Sequence, residues 1–146
     1  MKKLVAFAAT AFFSLSILAS EPVAVNEKVL QAFGQCFKNA SGVVWHEYAD
    51  RFEVKFMHNA IDSRISYDVD GNILKTIRYY GEENLPLFVR AKLQKNYAGK
   101  KVFGVTEMSS DGELDYYIVL EDATTWSHVK CGSTGNMEIS KKYKKA

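Results

Sequence analysis

Cysteine and proline are scarce in this sequence, with two residues of each, and the nine glycines are scattered rather than clustered. No glycine-rich phosphate loop is spelled out and no Gly-x-Ser-x-Gly nucleophile elbow is present. His46-Glu47 lacks the second histidine that a zinc-protease helix needs, because Asp50 stands at that position. Charge of one sign is missing as well. The chain has 19 basic and 17 acidic residues, and setting aside Lys2 and Lys3 leaves seventeen of each. With no basic helix and no net field, electrostatic steering toward nucleic acid is not expected. Long hydrophobic runs are limited to one, Leu4 to Leu18, broken only by small or hydroxyl residues such as Thr10, Ser14 and Ser16.

That run has a charged start at Lys2-Lys3 and small residues at its end, Ala19-Ser20, ahead of Glu21-Pro22. The order is that of a secretory signal peptide, residues 1–20, with cleavage near Ala19 or Ser20. It falls short of the roughly 20 apolar residues that span a bilayer, and no second stretch is long enough, so no membrane insertion is expected after cleavage. A periplasmic or secreted location follows. The remaining residues 21–146, about 125 in all, are the size of one domain.

Two periodicities organise this domain. From Asn26 to Asn39, Val29, Ala32, Phe33, Cys36 and Phe37 form one apolar helical stripe, with Asn26 as N-cap. The period then changes to two. Phe52, Val54 and Phe56 alternate with charged residues, as do Ile65, Tyr67 and Val69, which marks half-buried strands. Val43 to Tyr48 is a further strand, Asp70-Gly71 a hairpin turn, and Ile73 to Tyr80 a fourth strand. A second helix opens at Leu85-Pro86 and stops at Gly99, with Val89, Leu93 and Tyr97 in its stripe and Leu85, Phe88 and Ala91 widening it. Four more strands follow, about Lys101 to Met108, Leu114 to Glu121, Thr125 to Cys131 and Met137 to Tyr143.

The halves repeat, about 26–80 and 85–143. Phe33 and Phe37 match Leu93 and Tyr97 at an offset of 60. Phe52, Val54, Phe56, Ile65, Tyr67 and Gly71-Asn72 match Tyr116, Ile118, Leu120, Val129, Cys131 and Gly135-Asn136 at an offset of 64. The predicted fold is α+β: two helix-plus-four-strand repeats forming a curved antiparallel sheet, with both helices on one face and the other face open.

Val44-Trp45-His46-Glu47, Phe52-Glu53-Val54-Lys55-Phe56, Tyr67-Asp68-Val69-Asp70-Gly71-Asn72, Leu85-Pro86 and Lys95-Asn96-Tyr97-Ala98-Gly99 together resemble the PepSY-like exported bacterial proteins, also described as beta-lactamase-inhibitor-like. The resemblance covers nearly all of residues 21–146. It implies a repeated helix-plus-strands domain outside the cytoplasm and brings no established activity. Its distant similarity to inhibitors of a protease or a beta-lactamase implies protein binding through the open sheet face.

Asp68, Asp70 and Asn72 have the spacing of a calcium loop's start, but its twelfth position is Tyr79, so a hairpin turn is the better reading. The scattered His46, His58 and His128 do not make a four-ligand zinc site, and no cofactor is expected. Cys36 and Cys131 are either a disulfide closing a loop of about 95 residues or two free core thiols. On the open face, parity places Arg64, Ser66, Arg78 and Tyr80 in the first half and Tyr117, Val119, Trp126 and His128 in the second. Aromatics and arginines there suit an interface, although ordinary cross-strand pairing on a wet surface gives the same pattern. Trp45 is assigned to the core. Lys141, Lys142, Lys144 and Lys145 read as a solvated chain end rather than a contact patch. The function expected is a non-catalytic extracytoplasmic module that binds an unidentified protein or peptide. The alternatives are an inhibitor of a peptidase or beta-lactamase and, last, a small hydrolase, for which no nucleophile–base set is found.

Overall fold

The computed structural model describes residues 23–146, so the expected signal peptide lies outside the described residues. Two helices and eight strands follow in order: α1 (Glu27–Cys36), β1 (Ser41–Glu47), β2 (Phe52–His58), β3 (Ile61–Tyr67), β4 (Ile73–Tyr80), α2 (Leu87–Asn96), β5 (Lys101–Ser110), β6 (Glu113–Glu121), β7 (Thr125–Gly132) and β8 (Met137–Lys144), with one 3-10 turn at Glu82–Asn84. The strands form a single antiparallel sheet in sequential order, β1 and β8 being its edges. The class is α+β with an open eight-stranded sheet.

Local chemistry accounts for the helix ends. The Asn26 side-chain oxygen accepts from the Lys28 and Val29 N–H groups at 2.8 and 3.3 Å, satisfying two donors of the first turn of α1. Pro86, in extended conformation, precedes α2 where its missing N–H does no harm. The α2 stripe is narrower than its sequence suggests. Leu85, Val89 and Leu93 are buried, whereas Phe88 and Ala91 are exposed.

Each helix has its own core. Val29 and Phe33 of α1 pack with Phe52, Val54, Phe56, Ile65 and Tyr67, and Trp45 lies partly buried against them, edge-on to Phe33. Val89 and Leu93 of α2 pack with Leu85, Val105, Tyr116, Ile118, Leu120, Val129 and Cys131. Burying each such side chain stabilises by about 1.5–3 kcal/mol.

The Asp68–Asn72 segment is a hairpin strapped to α1. Asp68 accepts from the Asp70 and Asn72 backbone and from the Asn72 amide, all at 2.9 Å. Asn26 donates to the Val69 carbonyl and Lys28 pairs with Asp70 at 2.6 Å. Gly71 sits at φ 87 so close to α1 that a Cβ would lie 3.0 Å from the Lys28 carbonyl oxygen.

Of the two cysteine alternatives, the disulfide is corrected, and so is a core place for Cys36. Cys36 and Cys131 are both free thiols, the first exposed and the second fully buried. Cys36 falls in the last turn of α1, past the buried stripe, while Cys131 belongs to the other helix's core.

Candidate binding face

Along a strand, side chains alternate between the two faces. In β6 the core takes Tyr116, Ile118 and Leu120, and in β7 it takes Ser127, Val129 and Cys131. Tyr117 and Val119, with Trp126, His128 and Lys130, therefore stand on the side away from that core. The register joins them: Val119 pairs with His128, Tyr117 with Lys130, and Trp126 with Tyr143 of β8.

At one end of this surface an aromatic cluster is built by an irregularity. Pairing of β5 with β6 shifts between Val102 and Gly104, leaving Phe103 as the extra residue of a bulge. Phe103 is 65% exposed and meets Trp126 edge-to-face, ring centres 4.9 Å apart. Lys145 lies over the Trp126 ring, its Nζ 4.4 Å from the ring centre and 2.8 Å from Glu121. His128 stacks edge-on to Tyr143 at 5.5 Å. Near the other end of β6 and β7, Lys130 pairs with Asp115 at 2.9 Å, and that hydrogen bond raises the Lys130 pKa. The result is partly exposed aromatic area with lysines beside it, the composition that interface cores favour.

Of the residues expected on this face, Tyr117, Trp126 and His128 belong to it. Arg64, on β3, alternates with the buried Ser63 and Ile65 and lies 3.6 Å from Glu53. The same alternation keeps Ser66 off the α1 core, although it is itself buried. Arg78 and Tyr80 are corrected. Tyr80 is a core residue, its hydroxyl donating to Glu107 at 2.5 Å, and Arg78 donates to the same carboxylate at 2.9 Å. Burial first, and then the Glu107 bond, push the Tyr80 pKa upward. The cause of the misreading is local. Ser66 pairs with Lys75 but Tyr67 with Ile73, so Leu74 is an extra residue, and one extra residue reverses every later face of β4.

Phe103, Tyr143 and Lys145 were not anticipated as parts of this surface. Gly104 inside a strand was the available signal for the bulge. Lys141, Lys142 and Lys144 lie solvated in β8, where charge on an edge strand discourages further strand pairing.

No protein-family model and no curated protein matches this chain. Solved structures do match in fold. A BLIP-like protein from Bacteroides fragilis superposes with a TM-score of 0.61 at 14% identity, covering 84% of this chain and 86% of that one. A DUF2874 family protein from Bacteroides uniformis gives 0.57 at 19% identity, with 81% and 88% covered. A protein provisionally assigned as periplasmic, from Bacteroides eggerthii, gives 0.58 at 14% identity, with 82% and 88% covered. The fold of this chain is thus similar to BLIP-like folds.

Proposed function

We propose that this chain is a non-catalytic, extracytoplasmic binding module that engages a protein or peptide through the sheet face turned away from the helices. The observation that carries the reading is the Phe103–Trp126 cluster, exposed aromatic area packed edge-to-face beside Lys145. The leader-like residues 1–20 and the fold shared with a protein provisionally assigned as periplasmic support the location. The PepSY-like part of the reading rests on the sequence motifs.

Register supports a one-sided arrangement of helices. One cross-strand row runs Phe56, Ser63, Arg78, Glu107, Tyr116, Cys131, beginning in the α1 core and ending in the α2 core. Repetition is supported in the same way. The pairs Phe52–Tyr67, Val54–Ile65 and Tyr67–Ile73 recur as Tyr116–Cys131, Ile118–Val129 and Cys131–Met137. Gly71 lies against Ala32 of α1 as Gly135 lies against Lys92 of α2.

The test is affinity capture from the native cell envelope with the unaltered chain, a Phe103→Ala/Trp126→Ala double variant and a Leu87→Ala control on α2. The reading expects one discrete partner that the control retains and the double variant loses while its circular dichroism stays unchanged. Equal capture by all three chains would sink it. A narrower reading, inhibition of a peptidase or beta-lactamase, draws on the fold likeness to a BLIP-like protein. An inhibition screen of the purified chain decides that reading on its own.

A further inference from the structure

Away from the aromatic cluster, a cleft of about 260 Å³ opens beside the C-terminal end of α1. Phe37, Phe56, Ile61 and Ile65 make its apolar walls, and Ser63, Thr76 and Arg78 bring polar groups to it. The volume exceeds the roughly 150 Å³ that admits benzene and falls short of the roughly 300 Å³ at which drug-sized sites begin. One ring or one branched chain fits.

The polar end is preorganised. Glu107 is only 15% exposed, and both its oxygens are engaged, Oε1 by Arg78 Nη1 and Oε2 by the Tyr80 hydroxyl. Arg78 gives that carboxylate one of its five N–H donors, is held in place by it, and remains 42% exposed. The Ser63 hydroxyl is buried and spends its one donor on a long 3.4 Å bond to the Ile61 carbonyl. At the rim, His58 stacks edge-on to Phe37 at 5.5 Å. The adjoining turn, Asn59-Ala60, holds two non-glycine residues at φ 51 and 62. Backbone strain of this kind persists where the surroundings impose it, and it concentrates at ligand sites.

We propose that this cleft is a binding site for a small free carboxylic acid with a single aromatic or branched aliphatic group. The apolar group enters between Phe37, Phe56 and Ile61, and the carboxylate meets the spare guanidinium donors of Arg78, an arrangement that allows two parallel hydrogen bonds. Glu107 offsets the net charge of Arg78, so the anion is selected by the directed, charge-assisted hydrogen bonds of the guanidinium N–H groups that Glu107 leaves free.

The experiment is an NMR titration of the purified chain with 3-phenylpropanoate and, separately, with its neutral isostere 3-phenylpropanamide. The acid is expected to saturate, to bind about tenfold or more tightly than the amide, as a charge-assisted hydrogen bond warrants, and to shift the Phe37, Phe56 and Ile61 signals. Arg78→Gln should reduce the acid to the affinity of the amide. Thr76→Leu, which narrows the cleft without touching the arginine, should abolish both, and it keeps the test intact if the arginine variant fails to fold. Equal binding of acid and amide, saturable shifts elsewhere on the molecule, undiminished binding to Thr76→Leu, or no saturable binding each overturns the proposal.

Discussion

Ala60 follows Asn59 in a two-residue hairpin between β2 and β3, and both residues have positive φ. Such turns match the twist of the flanking strands but want glycine at the second position. A Cβ in the left-handed region costs roughly 1–2 kcal/mol, and glycine returns about 0.4–1 kcal/mol of that through the freer unfolded chain. Ala60 is exposed, so no packing is lost on replacement. Ala60→Gly should therefore stabilise by about 0.5–1 kcal/mol, read as a higher urea midpoint at unchanged slope; an equal or lower midpoint would show the turn to be unstrained. At this scale the sequence was legible wherever one residue does one local job. The Asn26 cap and the face of Trp126 follow from residue type and alternation. Tyr80 does not, because its face depends on an extra residue six positions earlier, and nothing in Leu74 announces it.

Strands and helices were easier to locate than their irregularities. Eight strands follow from alternation and turn residues, since a half-buried strand must show period two. A bulge leaves only a weak mark, and three of them decide which side chains meet: one turns Arg78 and Tyr80 inward, one extrudes Phe103, and one resets β8 against β7. The link between β6 and β7 holds another interaction with no sequence motif behind it. Asp122 accepts from the Thr124 and Thr125 N–H groups at 2.9 and 2.7 Å, from the Thr125 hydroxyl at 2.7 Å and from the Lys100 ammonium just ahead of β5. The Lys100 bond, then the hydroxyl and backbone donors, hold the Asp122 carboxyl far below its ordinary value of 3.8. A carboxylate depressed by folding contributes stability above its unfolded pKa and loses it as pH falls toward the folded one. Asp122→Asn should thus lower the melting temperature at pH 7, with a gap from the unaltered chain that shrinks steadily below about pH 4. A gap that persists undiminished at pH 2.5 would assign the loss to side-chain shape instead of charge.

Across the whole molecule, two apolar cores are joined by central strands that bring polar residues to the same rows. Thr76 pairs with Ser109 and Arg78 with Glu107, while the apolar side chains gather at α1 and α2. Sequence alone located both stripes, but not this seam, because its defining contact joins residues 29 positions apart. A seam of hydrogen-bonded polar groups stays in place only while each group keeps its partner, since an orphaned buried donor costs about 1–3 kcal/mol. Glu107→Ala leaves the Tyr80 hydroxyl and the Arg78 guanidinium without their shared acceptor. Partial exposure of Arg78 lets water recover some of the loss, so destabilisation of about 1–3 kcal/mol is expected. Its distribution is the sharper prediction. Amides of β4 and β5 should exchange faster with solvent, while those of β2, β3, β6 and β7, anchored by the two helices, keep more of their protection. If every amide instead loses protection by the same factor, the sheet opens as one cooperative unit and the seam is no weaker than the cores it joins.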